Sequence, residues 1–323
     1  VWRTCQANGK LYLFGGASAV RQYAGGSVTE IGSGWSADLL TPTHAGIPQA
    51  SFATVFNAHL VVADTYESGT RHPNRVRVSH PLQNQQGELD FREVDSFECA
   101  VGKNAEAIQG LTTAGEKCFV MKEHSIFEFA GDDPENFAVA PISSDAGAAG
   151  PEAWVVHLDR VWAFDSELGL HYVSGYSGSN GIDHSYIPGP LNDLIRRRQV
   201  RAPERTSVCA VGGRVLVTVE LWSDRYTYAY DVNMKCWTRY DLELGPSVRF
   251  ATNNGLAETL AGIGPALVKL NQPEPVDLIG GYAQSIRSWV STTWLYDQRP
   301  AIGKLWGPVE IMWETDGVDP MTV

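Results

Sequence analysis

The chain has 323 residues, of which 43% are hydrophobic and 19% are charged, a balance typical of a folded protein with a substantial core. Lysine and arginine number 25 against 37 aspartates and glutamates, which gives a net charge of −12. A dedicated nucleic-acid binder usually presents a basic face, so this charge argues against that class while leaving room for a local basic patch. The 32 glycines, 17 prolines and 10% aromatic residues favour many short strands and turns over long helices.

The ends of the chain and its cysteines indicate whether the chain is truncated and in which cellular compartment the protein is made. The chain opens V-W-R-T-C-Q without a signal-peptide pattern or an initiator methionine, and it ends soon after a turn at Asp316-Gly317. We therefore expect a chain truncated on at least one side. Its apolar stretches are far shorter than the ~18 residues of a membrane helix, so we expect no membrane insertion. The five cysteines form no C-x-x-C pair, which predicts reduced thiols in a cytosolic product.

One unit recurs along the chain: a turn, a short apolar strand, a second turn and a partner strand rich in aromatic or β-branched residues. The apolar strands include G-K-L-Y-L-F-G-G (9–16), G-E-K-C-F-V-M (115–121) and G-G-R-V-L-V-T-V (212–219). The six units begin at residues 9, 58, 115, 158, 212 and 255. Short strands in units of ~40–50 residues are typical of β-propeller blades, which bury their faces against one another. The sequence therefore predicts an all-β fold, with a β-propeller of about six blades over residues 1–280.

Two segments depart from this rhythm. P-L-N-D-L-I-R-R-R (190–198) predicts a short amphipathic helix, because Pro190 suits a first helical position and the apolar residues follow at i, i+3 and i+4. Residues 281–323 contain longer, tryptophan-rich strand patterns. They either close the propeller or begin a C-terminal β-sheet domain.

We find no sequence pattern typical of catalysis, of a cofactor or of a metal site. The eight histidines form neither H-x-H nor H-E-x-x-H, and no phosphate-binding glycine loop is present. G-Y-S-G-S (175–179) approaches a nucleophile elbow at Ser177, but Ser179 stands where the motif requires glycine. The surrounding run, residues 174–181, is typical of a flexible loop. We therefore predict that the protein is not an enzyme, and we predict no cofactor.

Acidic and basic clusters offer candidate surfaces. Asp132, Asp133 and Glu135 lack the spacing of a calcium loop and favour a solvated turn. A single positive run consists of Arg196, Arg197, Arg198, Arg201 and Arg205. It is either a solvated face that caps the helix or a docking surface for an acidic partner subunit or for DNA passing nearby.

The segment G-L-T-T-A-G-E-K-C-F-V-M-K-E-H-S-I-F-E-F-A-G-D-D-P-E-N-F-A-V (110–139) resembles the blades of tailed-phage virion proteins at the head–tail junction, in which a strand like S-I-F-E-F precedes G-D-x-P-x-N-F. Similar stretches follow at 150–175, 190–195, 228–242 and 286–311. The resemblance covers about 200 residues and is a pattern of aromatic, glycine and aspartate placements without catalytic residues.

This resemblance implies a non-enzymatic structural component of a phage virion: a tail hub, nozzle or neck protein, made in the host cytoplasm. Such proteins commonly form a homo-oligomeric ring, often a hexamer, between the portal or adaptor and the distal tail proteins. DNA then passes through the channel without specific binding, and an acidic lumen would let it slide. Candidate docking residues are the five arginines together with Trp289, Trp294, Trp306 and Trp313.

Two alternative functions belong to other classes of protein. A kelch-like binding module would explain the G-K-L-Y-L-F-G-G strand and Y-D-x-x-x-x-x-W-T-R-Y (230–240), but the double glycine follows the first strand of the first unit only. A carbohydrate-binding or carbohydrate-cleaving propeller is the other, and S-S-D-A-G (143–147) resembles part of a sialidase Asp-box without its tryptophan. A glycosidase would also need paired carboxylates facing one funnel.

Overall fold

The computed structural model describes residues 2–31, 47–81, 91, 97–102, 106–133, 135–178, 181–222, 224–240, 247–251, 257–263, 266–270, 276–279 and 282–285. The chain divides into two compact units, Val1–Ile286 and Arg287–Val323. The second unit lies outside the described residues, so the predicted domain boundary at 280 and the predicted C-terminal sheet stay predictions. Among the described residues, no helix is long and apolar enough to cross a membrane.

The described strands form successive antiparallel sheets whose strands pair in chain order. The first sheet contains β1 (Arg3–Ala7), β2 (Lys10–Gly15), β3 (Ser18–Ala24) and β4 (Ser27–Ile31). The second contains β5 (Gln49–Phe56), β6 (His59–Glu67), β7 (Thr70–Pro81) and β8 (Phe97–Ala100). The third contains β9 (Ile108–Ala114), β10 (Lys117–Lys122), β11 (Ile126–Ala130) and β12 (Ala138–Ser143). The fourth contains β13 (Trp154–His157), β14 (Arg160–Asp165), β15 (Gly169–Gly178) and β16 (Gly181–Tyr186).

After the fourth sheet the chain forms the helix α1 (Pro190–Arg196) and the two-residue strand β17 (Val200–Arg201). The fifth sheet adds β18 (Ser207–Val211), β19 (Arg214–Leu221), β20 (Asp224–Asp231) and β21 (Cys236–Tyr240). The sixth contains β22 (Ser247–Ala251), β23 (Ala257–Ile263) and β24 (Ala266–Leu270), and a hairpin of β25 (Val276–Ile279) and β26 (Tyr282–Ser285) follows.

The first strands of consecutive sheets contact one another, and this makes each sheet a propeller blade. β1 contacts β5, β5 contacts β9, β9 contacts β13, β13 contacts β18, and β18 contacts β22. Innermost strands of neighbouring blades meet in this way around a propeller axis. Six sheets of three or more strands are present within the described residues, in agreement with the six predicted units. The predicted all-β propeller fold is confirmed.

The predicted units begin one strand too late. Their apolar strands are the second strands of the blades, and the sequence pattern missed the first strands. In β1 and β5 buried residues alternate with partly exposed ones, because these strands line the axis and carry polar residues such as Arg3 and Gln49. The turn that opens each unit joins strands one and two. It has positive φ at both central residues at Asn8-Gly9 and Leu158-Asp159, as in type I′ hairpins.

The second strands of the second to fifth blades are buried almost continuously, because both of their faces pack against neighbouring residues. In β10, Cys118 and Val120 pack into the cluster shared with the second blade, whereas Phe119 and Met121 pack into the cluster shared with the fourth. Burial on both faces removes the polar alternation of a half-exposed strand. The continuous apolar runs in the sequence therefore mark the strands that hold neighbouring blades together.

The predicted helix is confirmed. Pro190 begins α1, and Leu191 is fully buried in the cluster formed by the fourth and fifth blades, with Leu194 and Ile195 packed against it. The side chain of Asn192 donates to the carbonyl of Leu168 at 2.8 Å, which ties the helix to the fourth blade.

Two loop and strand predictions change. Residues 174–178, predicted as loop, continue β15, and Ser177 pairs with Ile182 of β16, because the hairpin backbone supplies hydrogen bonds that the small polar residues do not reveal. The pattern F-R-E-V (91–94) predicts a further strand in the second unit, but most of it lies outside the described residues, and the fourth strand of the second blade is β8.

Two histidines of the fourth blade, the buried His171 and the partly buried His184, contact each other, and His171 contacts the link that precedes this blade. Nε2 of His171 donates to the carbonyl of Gly147 at 2.8 Å, and Nδ1 of His171 lies 3.1 Å from Nε2 of His184. The amide of Gly147 donates in turn to the fully buried carboxylate of Asp165 at 3.0 Å. Since a carbonyl only accepts, Nε2 of His171 carries the proton and Nδ1 accepts from His184.

The burial of His171 makes the free energy of unfolding depend on pH. Burial lowers the pKa of His171 from 6.5 to about 4, so the unfolded chain takes up a proton that the folded chain excludes. We expect the free energy of unfolding to fall as the pH drops from 6.5 towards 4, by on the order of 3 kcal/mol in full. Urea unfolding between pH 7 and pH 4.5 would measure it. The His171→Gln variant should show a shallower slope by about one proton, and an unchanged slope would contradict the assignment.

Candidate docking surface

Strand direction sorts the loops of the propeller onto two edges. Because the strands of each blade alternate in direction, the turns between the second and third strands lie at the same edge as the links from one blade to the next. We call this the connection edge. The turns between the first and second strands, and between the third and fourth, lie at the opposite edge, the turn edge.

The five predicted arginines lie on one link at the connection edge, between the fourth and fifth blades. This link comprises α1, β17 and a 3-10 turn at Pro203–Arg205. β17 pairs with the end of β19, where Arg201 is opposite Glu220. All five arginines are exposed, and the side chains of Arg196 and Arg205 are 79% and 71% exposed. The structure therefore brings the predicted residues together.

Trp222 completes this surface and was not predicted. It stands at the tip of the turn between β19 and β20 with φ of 59° and is 68% exposed. The guanidinium of Arg201 lies 5.3 Å from the centroid of its ring, within the range of a cation–π contact. The only signal in the sequence was the position of L-W-S-D between two strand patterns. We name Arg196, Arg197, Arg198, Arg201, Arg205 and Trp222 the arginine surface.

The carboxylates near the arginine surface do not neutralise it. Asp193 lies 3.5 Å from Arg196, and Glu220 lies 3.8 Å from Arg205. Exposed pairs of this kind contribute little and leave the guanidinium groups accessible. Arg225 adds a sixth guanidinium and donates to the carbonyl of Arg205 at 3.1 Å, which holds the 3-10 turn against β20. The result is a positive area on a chain of net charge −12.

A polar cleft of about 240 Å³ lies at the same edge, where the first strands converge. Arg3 of β1 reaches the segment before β13, in the fourth blade. Its guanidinium donates to the carbonyl of Pro151 at 3.2 Å and to Oε1 of Glu152 at 2.9 Å, and it covers the ring of Phe52 at 4.4 Å. The first and fourth blades are thus bridged between the innermost strands.

In the second ion pair of the cleft, Asp64 and Arg71 likewise satisfy each other's charge. The carboxylate of Asp64, buried with φ of 54°, accepts two hydrogen bonds from Arg71 at 2.7 and 2.9 Å and one from the hydroxyl of Ser51. This bidentate pair raises the pKa of Arg71. In the first pair, burial lowers the pKa of Arg3 and raises the pKa of Glu152. Both carboxylates are therefore held by guanidinium groups, as in a structural clamp.

Breaking the Arg3–Glu152 bridge should cost stability. Arg3→Met leaves the carboxylate of Glu152 without its partner, and Glu152→Gln does the same to the guanidinium. We expect each change to lower the free energy of unfolding by about 1–3 kcal/mol, since both groups still reach solvent in part. Chemical denaturation of the two single variants and of the double variant would test it. The double variant should lose less free energy of unfolding than the two single variants lose together. Strictly additive losses would show that the bridge contributes nothing.

The other sequence candidates fall outside any such site. Trp289, Trp294, Trp306 and Trp313 lie outside the described residues. The prediction of a solvated turn at Asp132, Asp133 and Glu135 is confirmed, since all three are exposed. Among the residues that the structure describes, Glu106, Glu123 and His124 form one group whose ligand atoms lie within 4.8 Å of one another, and all three are partly exposed. No second feature marks that group as a metal site.

Comparisons with known proteins do not assign the chain to a family. No family model matches the chain, and no curated protein does. Solved structures with some likeness include apo AztD from Citrobacter koseri, 11% identical over 73% of this chain and 70% of that one, with a TM-score of 0.38. YCF48 from Cyanidioschyzon merolae is 10% identical over 82% and 80%, with a TM-score of 0.44. The N-terminal domain of Nup159 is 8% identical over 84% and 74%, with a TM-score of 0.47. Likeness at this level supports no argument about function.

Proposed function

We propose that this propeller acts by binding other proteins, without catalysis, as a structural component of a phage virion: a tail hub, nozzle or neck protein. In this role the subunits form a homo-oligomeric ring, of six copies in the commonest arrangement, between portal or adaptor and distal tail proteins. The observation that carries the proposal is the arginine surface. It exposes five guanidinium groups and a tryptophan on an otherwise acidic chain, and exposed aromatic and arginine side chains are typical anchors of protein interfaces.

The motif through which the chain resembles phage proteins stabilises the fold, and this supports the proposal of a structural protein. In G-D-D-P-E-N-F (131–137), Oδ1 of Asn136 accepts the backbone amides of Asp132 and Asp133 at 2.9 and 3.1 Å. Phe137 is buried against Phe129, with ring centroids 5.2 Å apart. The motif thus closes the turn between β11 and β12 and anchors it in the core. A blade scaffold, rather than a reactive group, accounts for these residues.

The bridge from Arg3 to Glu152 bears on where DNA would pass. It joins the start of β1 to the segment before β13, so side chains of the first and fourth blades cross the axis of a single propeller at the connection edge. The proposal therefore has DNA pass through a channel enclosed by several subunits. The negative net charge would disfavour tight binding of the phosphate backbone there.

Native mass spectrometry of the full chain, alone and with portal or tail proteins, tests the proposal. We expect a closed ring, or a complex with those proteins, that buries more than about 1,000 Å² per contact. Changing Arg196, Arg197 and Arg198 to Ser should weaken assembly about tenfold or more, since it removes three interfacial charges. The matched control changes Lys10, Arg21 and Lys235 to Ser. A monomer that binds no virion protein would overturn the proposal.

The second candidate is a binding module for a small polar ligand, such as a glycan, in the cleft around Arg3 and Arg71. The guanidinium groups of Arg3 and Arg71 in the lining of this cleft favour it. The cleft of about 240 Å³ is smaller than the roughly 300–1,000 Å³ of ordinary ligand pockets, and its carboxylates are already paired. A glycan array with wild type and Arg71→Met distinguishes it: binding that the variant loses would favour this candidate over the virion role.

A further inference from the structure

The turn edge of the third and fourth blades carries a surface of the opposite sign. Glu116 and Asp159 stand in turns between first and second strands, and both are exposed. Leu158 precedes Asp159 with φ of 52° and is 58% exposed, and Tyr176 at the end of β15 is 47% exposed. We name Glu116, Leu158, Asp159 and Tyr176 the acidic surface.

Contacts join the four residues into one surface. The amide of Glu116 donates to the carbonyl of Gly175 at 3.1 Å, and the amide of Gly175 donates to the carbonyl of Asp159 at 2.8 Å. The hydroxyl of Tyr176 lies 3.4 Å from Oδ2 of Asp159. The negative charges of Asp159 and Glu116 raise the pKa of this phenol, an effect that reports a negative local potential.

Nearby cations offset this charge only in part. Lys117 is paired with Glu128, and the guanidinium of Arg160 covers the ring of Tyr172 at 4.4 Å. The exposed carboxylates of Asp132, Asp133 and Glu135 lie at the same edge of the third blade. The acidic surface therefore combines exposed apolar side chains with carboxylates.

The two surfaces complement each other in composition. Each has an exposed large apolar side chain, Trp222 on one and Leu158 on the other, among charges that are mainly of one sign. The arginine surface lies at the connection edge and the acidic surface at the turn edge, so they cannot meet within one chain. A second copy of the chain can bring them together, and the pair then has one free surface of each kind for further neighbours.

We propose that the arginine surface of one copy docks on the acidic surface of a second copy. This inference rests on the proposed function, because it names the contact by which the subunits assemble. The contact is heterologous, so repetition gives a closed ring if the rotation between copies closes and an open filament if it does not. The occupant is the acidic surface of the same chain, rather than a nucleic acid.

A charge swap tests the pairing in the full chain. The basic variant replaces Glu116 and Asp159 by Lys, and the acidic variant replaces Arg197 and Arg201 by Glu. Each alone should weaken self-association at least about tenfold, since like charges then face each other. A mixture of the two variants should recover association, because the reversed surfaces match again. Lys10→Glu with Lys235→Glu makes the same charge change outside both surfaces and should leave association intact.

The outcomes separate this inference from the proposed function. Sedimentation velocity at increasing salt concentration should show wild-type association weakening, as it does for contacts between charged groups. Assembly that neither variant weakens, or that the mixture does not recover, overturns this pairing and leaves the virion role standing. A wild-type chain that stays monomeric and binds no virion protein overturns both. Loss of binding to duplex DNA in the acidic variant, with self-association unchanged, would assign the arginine surface to nucleic acid instead.

Discussion

The constraint behind this structure is that a blade has two apolar faces and cannot cover either of them alone. In β14, Val161 and Ala163 pack towards the third blade, whereas Trp162 and Phe164 pack towards the fifth. The second strands of the second, third and fourth blades thus contribute to two interfaces each, and the blades are stable only as a series. This requirement confines variation to the two edges, where turns and links are free to carry charge. The arginine surface and the acidic surface are both products of that freedom.

The sequence predicts well whatever depends on burial along one strand. The runs at 115–121 and 212–219 identify second strands because burial on both faces favours consecutive apolar residues, such as Cys118 to Met121 and Val215 to Val217. Pro190 and the leucines after it identify α1 by the same local logic. The first strands escape prediction because they line the axis, where polar residues such as Arg3 stand between the buried apolar ones and no continuous apolar run forms.

Contacts between distant parts of the chain could not be predicted from one sequence. Arg3 and Glu152 are 149 positions apart, and nothing in either segment indicates that the first and fourth blades meet there. The exposure of Trp222 could not be predicted either, because it also depends on how the chain folds. A tryptophan between two strand patterns is more often core, and only the turn that ends β19 brings it to solvent beside Arg201. The five arginines were found as a run because one short link carries them all.

Net charge conceals the feature that matters most for assembly. A value of −12 suggests a uniformly repulsive particle, whose copies would avoid one another. The alternation of strand direction instead sorts the loops onto two edges, so the guanidinium groups of 196–205 and the carboxylates of Glu116 and Asp159 end up on opposite sides of the propeller. If the two surfaces pair as proposed, a chain sorted in this way attracts its own copies in one orientation and repels them in the others. That orientation would follow from the same antiparallel pairing that builds each blade.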